Sequence, residues 1–410
     1  MLKLNMVNTL AFAGVVLMLG YLIRRWIPLL GRLNLPAAVL GGLVISVAVL
    51  IARTRGVTLF EFDTTLQSPL MIAFFTTVGF GASLSLLRVG GPQVLMFFGL
   101  ATAFAVLQNV VGVLLALAFG LHPLFGVLAG SVTLTGGPAT GLAFAPLFEQ
   151  AGVQAAGSIA VAMAMAGIIA GALIGSPVGT WLIEKHRLDS RNRERAPEIS
   201  TKTVVTTQVT AGEGTPVDIP EEDGGDTWAV LKNVVAVLVA MWLGSYVSEW
   251  VQAQGITLPA YIGAMLVAAA IRNLDDVTGW FGLSMRVVDT VGTVALSLFL
   301  VLALMNLKLW ELANLAAPLV VSLVAQVALI IVCAPLVFRW MGRDYDAAVM
   351  SGGFIGFMLG TTANAMAVMR ALADRYGLAP RAFIVAPLVG AFLIDFTNAL
   401  LITAGINLLK

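Results

Sequence analysis

Apolar stretches near the length of a bilayer crossing recur along the whole chain, and no other feature narrows its fold as far. They run over 7–23, 35–52, 66–87, 93–119 and 153–183, then 228–251, 258–271, 287–307, 313–338 and 382–408. A helix that crosses the hydrocarbon core needs about 20 mostly apolar residues, so each stretch is read as one span. Of the 410 residues only 11% are charged and 59% are hydrophobic, whereas soluble domains carry roughly 25% charged residues. That is too little charge to coat a water-soluble core, so a lipid bilayer must solvate much of the surface. The first stretch is read as a span and not as a cleavable leader, because Arg24 and Arg25 follow it instead of preceding it.

Several function classes fall away. A net charge of +1 argues against a nucleic-acid partner. Cys333 is the only cysteine, which excludes a disulfide framework within one chain, and the two histidines, His122 and His186, cannot build a histidine metal cluster. An enzyme inside the bilayer would need a nucleophile, a metal cluster or an acid–base pair. None is visible, and no organic cofactor is expected. A phosphate-binding Gly-x-x-x-x-Gly-Lys-Ser/Thr loop is missing too, which argues against an ATP-driven pump. A carrier and a passive channel both remain open.

Between Glu184 and Thr227 the composition turns to charged residues with Pro, Gly and Thr. Such a segment cannot bury a core and reads as a flexible linker. It divides the chain into a first membrane repeat over 1–183, the linker over 184–227, and a second membrane repeat over 228–410. The halves correspond. Pro36 and Pro259 are 223 positions apart, as are Gly167 and Gly390, while Thr140 and Thr362 are 222 apart. With five spans in each half, an odd number, the second half enters the membrane upside down. Inverted repeats of this kind occur in many secondary transporters, with the substrate site where the repeats meet.

Two further apolar stretches, 123–149 and 345–371, are interrupted by glycine, threonine and proline. The first holds Thr133-Leu-Thr135-Gly136-Gly137-Pro138-Ala-Thr140, and the second Gly352-Gly353-Phe-Ile-Gly356 and Gly360-Thr361-Thr362-Ala-Asn364. Glycine and proline are poor choices for a continuous helix. If both stretches are re-entrant hairpins, the positive-inside rule places both termini outside. Arg24, Arg25, Arg272, Arg286 and the basic linker then face the cytoplasm. Counted as full spans, they would put the basic linker outside. The fold expected is therefore an all-α polytopic membrane protein, made of two inverted repeats of five transmembrane helices, each with a re-entrant hairpin.

Unpaired backbone is tolerated at membrane depth only inside protein or beside water. There, helix N-termini attract carboxylates, and carbonyls and hydroxyls suit sodium. Candidate substrate-binding residues are Thr135, Gly136, Gly137, Thr140, Gly352, Gly353, Thr361, Thr362, Asn364 and Asn398. The alternative for these small residues is close helix packing. Asp395 is a carboxylate in mid-span, a costly placement that marks an ion path or a buried pair. With Thr133 it is the candidate sodium ligand, and a proton-carrying role stays open. Gln108, Asn109 and Gln326 are read as interhelical ties.

The runs Ser68-Pro-Leu-Met-Ile-Ala-Phe-Phe75, Ala129-Gly-Ser-Val-Thr-Leu-Thr-Gly-Gly137, Leu307-Lys-Leu-Trp-Glu-Leu312 and Val389-Gly-Ala-Phe-Leu-Ile-Asp395 with Asn398 resemble the bacterial sodium/glutamate symporter family over nearly the whole membrane part. The resemblance implies sodium-coupled uptake of L-glutamate, with Na+ as coupling ion. It further implies a homodimer in the bacterial inner membrane, a cytoplasmic central linker and an elevator motion of the hairpins against a scaffold. The hairpins depart from the family's pattern at Pro138-Ala139, at Phe354-Ile355 and at Ala363-Asn364. Those departures leave another amino acid or a dicarboxylate open as substrate.

Overall fold

The computed structural model describes residues 2–188, 227–255 and 258–409. Most of the linker therefore lies outside the described residues. Helices dominate. The first half holds α1 (Met6–Trp26), α2 (Pro28–Arg32), α3 (Ala37–Thr54), α4 (Gln67–Phe80), α5 (Leu84–Ala118), α6 (Pro123–Val127), α7 (Gly137–Gln150) and α8 (Ala156–Lys185). The second holds α9 (Thr227–Ala253), α10 (Ala260–Thr278), α11 (Met285–Met305), α12 (Ala316–Trp340), α13 (Tyr345–Met358), α14 (Thr362–Tyr376), α15 (Pro380–Leu388) and α16 (Ile394–Leu409). Turns of π-helix follow α6 (Leu128–Val132) and α15 (Val389–Leu393), and a 3-10 turn (Leu309–Leu315) precedes α12.

Eight helical stretches are long and apolar enough to cross a membrane, among them Gly91–Ala118, Ala156–Lys185, Ala316–Trp340 and Pro380–Leu409. The chain is thus a polytopic membrane protein. The other two stretches read as spans are α4, with 14 residues, and α10, with 19 residues but Arg272, Asp275 and Asp276 near its end. At about 1.5 Å per residue α4 is roughly 21 Å long, short of the hydrocarbon core. The expected span 66–87 in fact divides. Helix α4 stops at Phe80, and Leu84 already belongs to α5, which kinks at Gly91 (φ 60°, ψ −159°) ahead of Pro92. The all-α expectation needs a small correction as well. Strands β1 (Leu2–Leu4) and β2 (Phe60–Phe62) pair in parallel, and Phe12 packs its ring on Phe60 and Phe62.

The helices pack as two groups. One contains α1, α3, α4, α9, α10 and α11, and the other contains α5 to α8 with α12 to α16. Contacts between the groups are sparser; one is Tyr261 of α10 against Phe144 of α7, 5.5 Å between ring centroids, with Phe75 of α4 stacked on the same Tyr261 at 4.4 Å from within the first group. Within the first group the approaches are too close for side chains. A Cβ on Gly20 would stand 2.0 Å from the Ala37 carbonyl oxygen, and one on Gly244 would stand 2.2 Å from Ala264 Cα. The first joins α1 to α3 and the second joins α9 to α10. They are the small-residue packing that lipid-embedded helices use, since lipid offers no hydrophobic drive to bring helices together.

In the second group, glycines of α8 form a similar track. Gly167 lies under the Leu359 carbonyl, Gly171 under Gly356, Gly175 under the Gly352 carbonyl and Gly179 under Leu372. Helices α13 and α14 run back along each other, Gly356 beside Asn364 and Gly353 beside Met369. Gly352 and Gly353 were expected to break this stretch, but α13 passes through them unbroken, because their missing side chains make room for α8 and α14. The chain reverses later, at Leu359 and Gly360.

Gly20→Ala and Gly244→Ala are each expected to destabilise the purified protein by roughly 1–3 kcal/mol through overpacking. Gly14→Ala, with nothing within 4 Å of the added atom, should be neutral. Thermal unfolding in detergent compares the three.

Candidate functional site

Two helix starts converge on one cavity. After the first reversal, at Thr135 and Gly136, α7 opens with Gly137 at φ +69°, a conformation that side chains resist. After the second, α14 opens behind Thr361, whose backbone is extended. A Cβ on Gly137 would stand 3.1 Å from Thr361 Cγ2 and 3.5 Å from the Gly360 carbonyl oxygen, so the two tips touch. Neither helix start has a side-chain cap. The first N–H groups of a helix have no partner within it and carry the positive end of its dipole. Pro138 in the first turn of α7 gives up a hydrogen that the helix does not use.

The cavity at these tips measures about 350 Å³, within the range of small-molecule sites. Thr135, Gly136 and Thr140 line it from the first hairpin, Thr361 and Thr362 from the second, and Asp395 from α16. The opposite wall comes from the other helix group, with Tyr21, Asn34, Thr77, Arg272 and Asp289 among its residues. Arg272 pairs with Asp276 at 3.0 Å, and its Nε has no hydrogen-bond partner among the described residues. Asp395 has no hydrogen-bond or ion-pair partner among the described residues.

Carboxamides hold the tips in place. Gln108 of α5 donates from Nε2 to the Met358 carbonyl at 2.8 Å, while its Oε1 accepts the Thr135 hydroxyl at 2.6 Å. One side chain thus ties both hairpins together. Gln326 of α12 donates to the Gln108 carbonyl at 2.8 Å, and Asn109 Oδ1 accepts the Ser131 N–H at 3.0 Å. These are the interhelical ties that their place in apolar spans suggests.

The remaining candidates sit behind the tips. Thr133 is buried, and its hydroxyl donates to the Leu128 carbonyl at 2.9 Å. Asn364 donates to the Ile168 and Gly356 carbonyls, and Asn398 to the Ser131 carbonyl. Gly352 and Gly353 face Leu372 and Met369 at helix contacts. Of the sequence-derived set, then, six residues line the cavity, Gly137 forms the seam between the tips, and five lie in the surrounding protein. Sequence reasoning passes over Asp289 and Arg272. Asp289 carries the same signal as Asp395, a carboxylate inside an apolar stretch. Arg272 counts only towards orientation, because nothing in its neighbourhood tells that it turns inward.

The family model described as sodium/glutamate symporter matches residues 2–378. The chain belongs to the sodium/glutamate symporter family. Among its relatives are the sodium/glutamate symporter of Haemophilus influenzae, 36% identical over 404 residues that make up 96% of this chain and 95% of the relative. That of Escherichia coli is 36% identical over 407 residues, 98% of this chain and 97% of the relative. Family membership accounts for a site without catalytic groups. The family is one of transporters, and the chain is not an enzyme.

Replacing Gln108 with Leu removes a partner from the Met358 carbonyl and from the Thr135 hydroxyl. The expected cost is about 1–3 kcal/mol for a buried group left unpaired, read as a lowered midpoint of thermal unfolding. Thr54→Ala, which deletes an exposed hydroxyl bonded only to the Ile51 carbonyl, should leave the midpoint in place.

Proposed function

We propose that the chain is a secondary active transporter which takes up L-glutamate together with sodium across the bacterial inner membrane. The observation that carries this is the pair of uncapped helix starts, α7 and α14, facing one cavity. A dicarboxylic amino acid brings two anionic groups, and two positive helix ends can receive them without placing a cation at the tips. The threonine hydroxyls of Thr135, Thr140, Thr361 and Thr362 accept and donate beside them. Asp395, on the cavity wall, offers a carboxylate to sodium or to the substrate ammonium, and Thr133 stays close behind the first tip.

The same reading interprets α6–α7 and α13–α14 as re-entrant hairpins in two inverted repeats, residues 1–183 and 228–410, joined by a cytoplasmic linker. It is supported by helix lengths of 14 and 15 residues on either side of the second reversal, by the matching glycine contacts of the halves, and by the burial of both reversals in protein. Both termini then lie outside.

The division into two helix groups supports an elevator. The group with the hairpins is the moving unit, and the group of α1, α3, α4, α9, α10 and α11 is the scaffold. Scaffold helix α9 presents Trp228, Leu238, Trp242 and Trp250 outward, an apolar face for lipid or for a second copy in a homodimer. Tyr21, Asn34 and Arg272 line the cavity, and in this reading the positive-inside rule puts the neighbouring arginines Arg24 and Arg25 and with them this end of the cavity on the cytoplasmic side.

Proteoliposomes test the function. An inward sodium gradient is expected to drive accumulation of labelled glutamate above equilibrium, and removing the gradient should leave equilibration at most. Equilibration under both conditions would mean a channel. Asp395→Asn should cut sodium-driven uptake at least tenfold in folded protein. Wild-type sodium dependence in that variant would take Asp395 out of the ion path. Thr140→Val and Thr362→Val should raise the KM for glutamate several-fold, and unchanged kinetics in both would assign them to packing.

A further inference from the structure

Three buried carboxamides in the hairpin group have committed nitrogens and bare oxygens. Asn398 Nδ2 donates to the Ser131 carbonyl at 3.0 Å, Gln326 Nε2 to the Gln108 carbonyl at 2.8 Å, and Asn364 Nδ2 to the Ile168 carbonyl at 3.1 Å. A carbonyl only accepts, so each amide can present only its nitrogen there. Its oxygen is turned the other way. Asn398 Oδ1, Gln326 Oε1 and Asn364 Oδ1 meet no donor among the described residues, and the Ser131 hydroxyl is bare too. Ser131 is 0% and Asn398 1% exposed, so bulk water does not reach them. Buried polar groups of native proteins are nearly always partnered, and each exception calls for a physical cause.

Two of these bare oxygens belong to residues that touch. Asn398 of α16 is bonded to Ser131, and the Gln108 carbonyl that holds Gln326 lies 3.0 Å from where a Cβ on Gly130 would stand, one residue away. The backbone here is the π turn Leu128–Val132, with Gly130 out of helical conformation at φ −100°, ψ −124°. Such turns recur at functional sites. Hydroxyl and amide oxygens suit a hard cation. None of the three carries a formal charge, which favours a monovalent over a divalent ion.

We propose that Ser131 Oγ and Asn398 Oδ1, with Gln326 Oε1 beside them, ligate a dehydrated sodium ion beneath the tip of the first hairpin. The proposal rests on the reading of the chain as a sodium-coupled carrier. It adds an ion position separate from the cavity wall where Asp395 stands. Its coupling to substrate runs through one atom. The Ser131 carbonyl accepts Asn398 Nδ2, Thr135 N at 3.2 Å and Gly136 N at 3.0 Å, and Thr135 and Gly136 line the cavity. An ion that fixes Ser131 and Asn398 therefore fixes the tip that receives the substrate. Sodium and substrate each raise the other's affinity by the same factor.

Thermal unfolding of the full-length protein in detergent tests this without substrate, across a sodium chloride titration balanced with choline chloride. Sodium is expected to stabilise the wild type. Ser131→Ala should raise the half-saturating sodium concentration at least tenfold, with a sodium-free midpoint equal to or above that of wild type, since a bare hydroxyl is removed. A buried water in place of the ion predicts that Ser131→Ala titrates like wild type, and that result overturns the proposal. Should Ser131→Ala not fold, Ser131→Cys keeps the volume, replaces the hard oxygen by soft sulfur, and is judged by the same shift. Gradient-driven glutamate uptake without sodium stabilisation of the wild type removes this site and leaves the carrier reading standing. Loss of both removes both.

Discussion

Peptide groups that a helix does not pair are the constraint around which this molecule is arranged. In hydrocarbon an unpaired N–H or C=O costs several kcal/mol, yet the chain interrupts its apolar helices twice, at Thr135–Gly136 and at Leu359–Gly360. Each interruption is tolerable because protein surrounds it. Gln108 answers the Met358 carbonyl at the end of α13 and the Thr135 hydroxyl at the first tip. The Ser131 carbonyl takes the Thr135 and Gly136 N–H groups together with Asn398. The glycine track of α8 lets the second hairpin sit close enough to exclude lipid. What remains unpaired are the helix starts at the cavity, and these are the groups an anionic substrate can use.

The division of labour between the two helix groups follows from the same constraint. The hairpins cannot move through lipid on their own, because their tips would be stripped of partners. In the proposed motion they would carry along the helices that partner them, which are α5, α8, α12 and α16. The opposite wall of the cavity carries side-chain charge, Arg272 and Asp289, instead of backbone. One wall thus combines peptide dipoles with the single carboxylate Asp395, and the other carries Arg272 and Asp289 on separate helices.

Much of this was legible in the residues. Apolar length found every long helix, and the run Gly136-Gly137-Pro138 marked the first reversal, because Gly137 must take a positive φ and Pro138 begins a helix well. The second reversal falls within the broken stretch read from the sequence, at Leu359 and Gly360 and not at the Gly352-Gly353 pair. Gly352 and Gly353 look like helix breakers in isolation, but in a membrane a glycine pair serves equally for close packing, and only the neighbour, here α8 and Met369, decides between the two. Asn398 and Asn364 were recognised as polar groups in apolar surroundings. Their orientation depends on which carbonyl the fold brings near, and no local pattern encodes that. The strand pairing of Leu2–Leu4 with Phe60–Phe62 joins segments far apart in the chain and too short for any periodicity to show.

One feature of α5 shapes how the two groups can be displaced. Its first residues are fastened to α10, since the Leu84 N–H donates to Asn273 Oδ1 at 2.9 Å and the Ser83 hydroxyl to Asp276 at 2.5 Å. Its later turns carry Gln108 and Asn109 into the hairpin group. Between these two ends stands Gly91, off the helical path, followed by a proline that cannot restore the hydrogen bond. A rigid rod joining these points would lock the bodies together. Under the proposed elevator motion, this swivel would make a single continuous segment a tether of constant length and changing direction, one that limits the stroke without adding a barrier along it.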